Sequence, residues 1–170
     1  MSFDLVFFGG TGDLTWRKLM PALFQAFRHG KLPAGGRILS VARDEQTDEQ
    51  YRHWLKERFQ EVDDAKRPTD EEFAHFAELL HYRRMDLSQT EDYSGLAQWI
   101  GQRNADTAVL YLATGPHLFT RICAQLGAVG WQLEPLPAHG QYLGVQFDGG
   151  RADAQLLVAK LGNSTGAQPQ

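Results

Sequence analysis

The chain has one cysteine, Cys123, among its 170 residues, so no disulfide can form within it. A lone cysteine is usually a small, buried apolar side chain, and its isolation fits a reducing cytoplasmic location. The sequence lacks the basic start and long apolar run of a signal peptide. It also lacks any apolar stretch of the roughly 20 residues that a membrane helix needs. We therefore expect a cytoplasmic protein without a membrane partner.

Excess charge of one sign is also missing, since the net charge is only −4. This value gives no basis for binding nucleic acid or anionic membranes. Metal-ligand spacing is absent as well, because no two histidines pair on one predicted helix face. What remains is an ordinary globular composition, 42% apolar and 22% charged, long enough for one domain with a real core.

Short apolar runs alternate with segments of helical periodicity. The runs predicted as strands are residues 5–8, 37–42, 82–85 and 108–113, and the polarity of 82–85 suggests an edge strand. The segments predicted as helices start near Leu14, Thr47, Thr69, Tyr93 and Phe119. Alternating strands and helices predict an α/β fold, Rossmann-like and doubly wound, with a mostly parallel sheet and right-handed crossovers.

Two details refine the predicted helices. Thr47 with Gln50, and Thr69 with Glu72, have the spacing of capping boxes. Pro21 is expected in the first turns of its helix or at a kink, because proline lacks the amide donor of a helix interior.

The character of the chain changes after Gly130. Residues 131–170 are rich in glycine and proline, and Leu156 to Ala159 form their one firm apolar run. We therefore expect a dinucleotide-binding domain over 1–130 and an irregular, poorly ordered tail over 131–170.

A glycine loop lies between the first predicted strand and helix, within a strand–loop–helix unit over residues 4–27. Glycine at such a turn lets a phosphate approach the backbone, and the helix N-terminus offers free amides. Gly10-Thr11-Gly12 supplies the first half of the G-x-G-x-x-G fingerprint, but the third position is Thr15. The loop therefore predicts a nucleotide site, although many α/β proteins turn this way without a ligand.

The end of the second strand indicates which dinucleotide binds. An acidic residue there suits the ribose hydroxyls of NAD, whereas an arginine favours the 2′-phosphate of NADP. This strand ends in Arg43, which predicts NADP through a charge-assisted contact. A solvated surface arginine, neutralised by the adjacent Asp44, is the alternative.

The segment FFGGTGDLTWRKLMPALF resembles the opening of glucose-6-phosphate dehydrogenases, with their G-[AG]-[ST]-G-D-L-A-x-x-K loop. Three later segments agree in order and spacing: ILSVARD at 38–44, the region of Met85-Asp86-Leu87, and LYLATGPHLF at 110–119. The resemblance covers about residues 3–130. It implies an NADP-dependent oxidoreductase of the pentose phosphate pathway that converts glucose 6-phosphate to 6-phosphogluconolactone, a homo-oligomer in its full-length form.

Residue by residue, the resemblance implies roles for matching positions. Lys18 would reach towards the sugar phosphate substrate, and Arg43 would hold the 2′-phosphate. The other cofactor-binding residues would be Gly9, Gly10, Thr11, Gly12, Asp13, Leu14, Asp86, Leu87, Ala113 and Thr114.

The resemblance stops near Gly130. The family's E-K-P-x-G and R-I-D-H-Y-L-G-K-E motifs, which supply its lysine and its general base, are absent from this sequence, and His139 does not match them. Hence no catalytic residue is assigned, and we expect at most weak NADP binding and no turnover from this chain. A truncated gene with a frameshift near residue 130 would explain the change, and reading the other two frames of the gene tests this hypothesis.

Other functions are less well supported. The main alternative is a stand-alone nucleotide-binding module without catalysis. An NADP-dependent reductase or epimerase would need a Tyr-x-x-x-Lys pair, and none occurs after residue 111.

Overall fold

The structure is a computed structural model that describes residues 3–13, 15–32, 35–101, 107–114, 116–135, 139–142, 145–148 and 155–161. Its strands are β1 (Asp4–Phe8), β2 (Arg37–Ala42), β3 (Leu80–Arg84), β4 (Thr107–Leu112), β5 (Trp131–Pro135), β6 (His139–Tyr142), β7 (Val145–Asp148) and β8 (Gln155–Leu161). Its α-helices are α1 (Met20–Arg28), α2 (Asp48–Phe59), α3 (Asp70–Ala77), α4 (Thr90–Gly101) and α5 (Phe119–Ala128). Shorter helical turns cover Thr15–Leu19, Asp64–Lys66 and Pro116–Leu118.

The main sheet has six strands in the order β3-β2-β1-β4-β8-β5. β1 pairs in parallel with β2 and with β4, and β2 pairs in parallel with β3. β3 lies at the sheet edge, as its polarity predicted. The predicted doubly wound α/β fold is therefore confirmed.

Both faces of the sheet are covered, which explains why β1 is apolar without alternation. Leu5 and Phe7 of β1 belong to the core that includes side chains of α1, α2 and α3. Val6 and Phe8 point to the other face and join the core formed with α4 and α5. All residues of β1 are buried, so the strand and the loop that follows it have a fixed position.

The helix starts follow the sequence predictions. Thr47 and Gln50 form a reciprocal capping box at α2, and Thr69 and Glu72 form another at α3. Pro21 lies in the first turn of α1, where its missing amide donor costs little. A π-helical turn over Thr15–Leu19 precedes it.

The segment after Gly130 contains more strand than the sequence indicated. β8, which includes the predicted apolar run, lies antiparallel between β4 and β5. β6 and β7 form a separate antiparallel pair. Pairing of β8 with β4 is long-range, so the local abundance of glycine and proline did not reveal it. The proposed domain boundary at residue 130 stays a prediction, and the main sheet continues past it.

The part of the chain that the structure describes contains no helix long and apolar enough to cross a bilayer.

Candidate cofactor-binding site

The carboxyl ends of β1, β2, β3 and β4 meet at one edge of the sheet. The chain passes from β1 to β2 on one side, and later from β3 to β4 on the other side of β1. Ligands of doubly wound folds bind at this kind of topological switch point. A cleft of about 540 Å³, which we call the edge cleft, opens there. It is lined by Gly9, Thr11, Val41, Ala42, Arg43, Asp44, Arg84, Met85, Asp86, Leu87, Thr114 and Leu118.

The position of Gly9 leaves no room for a side chain. Its φ is +92°, and an added Cβ would lie 2.7 Å from the carbonyl oxygen of Ala113. Ala113 in turn donates its amide to Phe8 O at 2.8 Å, which anchors the neighbouring strand end. Gly9 therefore permits the sharp turn that brings the loop against β4.

Gly10 allows a second close approach, to β2. An added Cβ would lie 2.4 Å from the Cβ of Ser40. The amides of Gly9 and Gly10 both donate to Val41 O at 3.0 Å. These donors are thus used to hold the loop in place, and the sequence alone did not show this.

The next turn of the loop closes on Gly9. Gly12 donates its amide to Gly9 O at 3.0 Å, and Thr15 Oγ1 donates to the same oxygen at 3.0 Å. Thr15 is fully buried, so the threonine at the third fingerprint position holds the loop through its hydroxyl. Within the described residues, the amide of Thr11 has no hydrogen-bond acceptor. Thr11 is half-buried and lines the edge cleft, which makes its amide a candidate phosphate donor.

Tyr51 on α2 holds the glycine loop through a hydrogen bond to Gly10, and the sequence did not identify this role. Its hydroxyl donates to Gly10 O at 2.8 Å and accepts from Ser40 Oγ at 2.7 Å. Burial raises the pKa of Tyr51 well above its ordinary value, with the Ser40 hydrogen bond opposing the shift. The phenol therefore stays protonated. Its place on the apolar stripe of α2 suggested only core packing.

Charged side chains lie at the far end of the edge cleft, beyond β2 and β3. Arg43 is exposed, and among the described residues it forms no ion pair. Asp44 is also exposed, and its backbone carbonyl accepts from Tyr82 Oη at 2.6 Å. Arg43 lines the edge cleft. Its role as the contact to the 2′-phosphate stays a prediction, as does the alternative of a solvated arginine.

Asp86 lines the edge cleft with Arg43 and Arg84. Hydrogen bonds from the hydroxyl and amide of Ser88 lower the pKa of Asp86, and the charges of Arg43 and Arg84 lower it further. The carboxylate is therefore ionised at neutral pH. Arg84, at the end of β3, was not singled out from the sequence.

The remaining predicted cofactor residues are placed as follows. Leu87 and Thr114 line the edge cleft, and Ala113 contacts Gly9. Asp13 is exposed, and its Oδ1 accepts from Trp16 Nε1 at 3.2 Å. Leu14 lies outside the described residues, as does Gly115.

Lys18 is not brought to the edge cleft. It is exposed and lines a second cleft of about 520 Å³, the flank cleft, between α1 and the turn at residues 61–66. The other lining residues are Trp16, Arg17, Pro21, Ala22, Gln25, Glu61, Val62, Asp63 and Lys66. Sequence proximity to the glycine loop did not reveal that the π-helical turn places Lys18 there.

The described side chains include no cluster of histidine, cysteine, aspartate or glutamate suited to a metal ion.

Comparison with known proteins agrees with this geometry. The family described as glucose-6-phosphate dehydrogenase, NAD binding domain, matches residues 6–139. The glucose-6-phosphate 1-dehydrogenase of Mycolicibacterium smegmatis is 35% identical over 131 residues, which are 75% of this chain and 26% of that protein. The enzyme of Rhizobium meliloti is 30% identical over 124 residues, 73% of this chain and 25% of that protein.

Solved structures give the same result. A crystal structure of glucose-6-phosphate 1-dehydrogenase from Mycobacterium avium matches with a TM-score of 0.65 and 32% identity, covering 75% of this chain and 27% of that one. A glucose-6-phosphate dehydrogenase in complex with its substrate glucose-6-phosphate matches with a TM-score of 0.62 and 25% identity. The match covers 73% of this chain and 26% of that one.

This chain spans about a quarter of the length of the curated relatives it matches. The match falls on the part that contains the glycine loop and the edge cleft, and it supports a nicotinamide dinucleotide as the class of cofactor. The chain belongs to the family of glucose-6-phosphate dehydrogenase NAD-binding domains.

Proposed function

We propose that the chain binds NADP in the edge cleft, as the coenzyme domain of a glucose-6-phosphate dehydrogenase. The observation that carries this proposal is the exposed guanidinium of Arg43, free of ion pairs among the described residues and at the same cleft as Gly9 and Thr11. The glycine loop suits the pyrophosphate, because a side chain at Gly9 would fill its turn. Arg43 suits the additional phosphate that distinguishes NADP from NAD.

The roles proposed for the cleft residues follow from their chemistry. The Thr11 amide and hydroxyl are the proposed donors to the pyrophosphate. Gly12 and Asp13 complete the proposed loop around it, with the Gly12 amide already donated to Gly9 O. Leu87 gives an apolar wall for the adenine end, with the Asp86 carboxylate beside it. Ala113 and Thr114 follow β4 and lie on the side proposed for the nicotinamide. Leu14 belongs to the proposed loop set but lies outside the described residues.

The reaction proposed for a full-length protein that contains this domain is oxidation of glucose 6-phosphate to 6-phosphogluconolactone, a step of the pentose phosphate pathway. NADP would accept the hydride, and a general base would have to accept the hydroxyl proton. No family base motif occurs in this sequence. We therefore expect NADP binding and no turnover by this chain, and no residue is proposed as catalytic.

Lys18 is the proposed contact to the sugar phosphate, since an ammonium suits a phosphate dianion. Lys18 lines the flank cleft with two other cations, Arg17 and Lys66, and with two carboxylates, Glu61 and Asp63. A homo-oligomer of the full-length protein and a reducing, cytoplasmic location stay predictions.

Calorimetric titration of NADP and NAD into the chain and into Arg43→Gln tests the cofactor proposal. Loss of a charge-assisted contact is worth about 1.5–3 kcal/mol, so we expect NADP to bind roughly 10–100-fold more weakly and NAD to be unaffected. Arg43→Glu should go further and reverse the preference. An unchanged ratio of the two affinities in either variant would show that Arg43 does not hold the 2′-phosphate.

A stand-alone nucleotide-binding module is the second candidate, favoured by the absent base motifs and by the separation of Lys18 from the edge cleft. Titration with glucose 6-phosphate in the presence of saturating NADP distinguishes the two. A coenzyme domain of the dehydrogenase should bind the sugar phosphate weakly and lose it in Lys18→Gln, whereas the module should show no binding. Robust turnover of glucose 6-phosphate by the purified chain would contradict the expected inactivity under either candidate.

A further inference from the structure

Arg84 shares the edge cleft with Arg43, although it lies on a different strand. The parallel pairing of β2 and β3 sets Ala42 opposite Arg84, and Arg43 is the next residue after Ala42. The register therefore delivers two guanidinium groups to the same end of the cleft, and both are exposed. Neither group is close to the other in sequence, so only the sheet pairing brings them together.

We propose that Arg84 is a second specificity-determining residue, which together with Arg43 binds the 2′-phosphate of NADP. This inference rests on the proposed function and deepens it. A phosphate monoester carries about −1.5 to −2 charges near neutral pH, and one guanidinium neutralises only part of that charge. A second guanidinium group, which approaches from the neighbouring strand, would pair with more of that charge.

The charge balance of the edge cleft favours a role for the second arginine. The charged residues that line it are Arg43, Arg84, Asp44 and Asp86. With both arginines the set is neutral. Without Arg84 the two carboxylates outnumber the one remaining cation, and the Asp86 carboxylate stays ionised because Ser88 donates to it twice. A phosphate dianion would then meet net repulsion.

Arg84 is also available for a ligand, unlike several other arginines of the chain. Arg37 donates to the buried Asp4 carboxylate at 2.9 and 3.0 Å, and Arg28 is bound to Glu72 and to backbone carbonyls. Arg84 has only a 3.9 Å contact with Glu45, whose side chain is 88% exposed. Water screens such a pair almost completely, so it competes weakly with a phosphate.

The experiment is a calorimetric titration with 2′,5′-ADP and with 5′-AMP, two probes that differ only in the 2′-phosphate. The proteins are the full chain, Arg84→Gln, Arg43→Gln, the double variant, and Lys66→Gln as a charge-matched control in the flank cleft. We expect Arg84→Gln to weaken 2′,5′-ADP by roughly 10-fold and 5′-AMP by less than about 2-fold. Lys66→Gln should leave both affinities unchanged.

The double variant gives the deciding comparison. We expect it to bind both probes equally and more weakly than Arg43→Gln binds 2′,5′-ADP. If Arg84→Gln matches the unmodified chain while Arg43→Gln loses 2′,5′-ADP, the Arg84 proposal is overturned and the NADP proposal stands. If the unmodified chain binds the two probes equally, both proposals are overturned. A circular dichroism melt of each variant confirms that it is folded, and both arginines are exposed, so we expect unchanged midpoints.

Discussion

The edge cleft and the flank cleft have nearly the same volume, about 540 and 520 Å³, and both are lined by cationic side chains. They differ in what builds them. The edge cleft is formed where parallel strands end, and its loop is held by backbone hydrogen bonds to Val41 and Gly9. The flank cleft is formed by side chains of α1, the π-helical turn and the 61–66 turn, some of them buried and others exposed.

Volume and charged lining alone therefore do not distinguish the candidate cofactor site from the flank cleft. The edge cleft combines a backbone turn that only glycine fits with the Thr11 amide and two exposed guanidinium groups. The cations of the flank cleft are carried by exposed side chains: Arg17 lies 4.4 Å from the centroid of the Trp16 ring and 3.8 Å from Asp13 Oδ2, and Lys18 is exposed. A preorganised backbone binds a pyrophosphate at lower entropic cost than flexible side chains do.

The largest expected effect comes from a side chain at Gly9. Gly9→Ala should destabilise the fold by about 2–5 kcal/mol, because it combines left-handed strain with the contact to Ala113 O. NADP binding should fall below detection. Thermal denaturation and calorimetry measure the two effects.

Gly30→Ala is the matched control for that variant. Gly30 has a φ of +70° but nothing within 4 Å of an added Cβ, and it lines neither cleft. It should lose about 1–2 kcal/mol of stability from backbone strain alone and keep its NADP affinity. If both glycine variants lost NADP binding equally, binding would not depend on the geometry of the glycine loop.

A smaller effect is expected from Tyr51→Phe, which removes the hydroxyl between Gly10 O and Ser40 Oγ. Both partners would stay buried without a hydrogen bond, so we expect a loss of about 1–3 kcal/mol in unfolding free energy and weaker NADP binding. Ser40→Ala keeps the bond from Tyr51 to Gly10 and should cost only about 0.5–1.5 kcal/mol. Chemical denaturation of both variants checks the order, and a reversed order would contradict the supporting role of Tyr51.

The smallest effect is expected from Lys18→Gln, which changes the flank cleft alone. NADP affinity should change by less than about 2-fold, since Lys18 is exposed and does not line the edge cleft. Calorimetry under the conditions used for Arg43→Gln makes the comparison direct. A loss in Lys18→Gln as large as that in Arg43→Gln would show that the cofactor reaches the flank cleft.

Local patterns in the sequence predicted most of the architecture and part of the site. The apolar runs located β1, β2 and β4, the Thr–Gln and Thr–Glu spacings located the starts of α2 and α3, and the glycines located the loop. Each of these features depends on residues within a few positions of one another, which is the range over which periodicity and capping are informative.

The features that sequence reasoning missed depend on distant residues. The Tyr51 hydroxyl meets Gly10 across 41 positions, and Arg84 reaches Arg43 only through the register of β2 and β3. The pairing of β8 with β4 joins segments about as far apart, and no local pattern specifies such a partner. The position of Lys18 follows from the π-helical turn, a rare conformation that residue periodicity does not indicate.

Hydrogen–deuterium exchange with and without NADP tests most directly whether the cofactor occupies the edge cleft. The account predicts that NADP slows exchange in the peptide that covers residues 9–13, where the Thr11 amide lacks an acceptor among the described residues. The peptide that covers residues 61–66 should be unchanged. If exchange slows at 61–66 and not at 9–13, or if it slows nowhere at saturating NADP, the cofactor does not bind in the edge cleft.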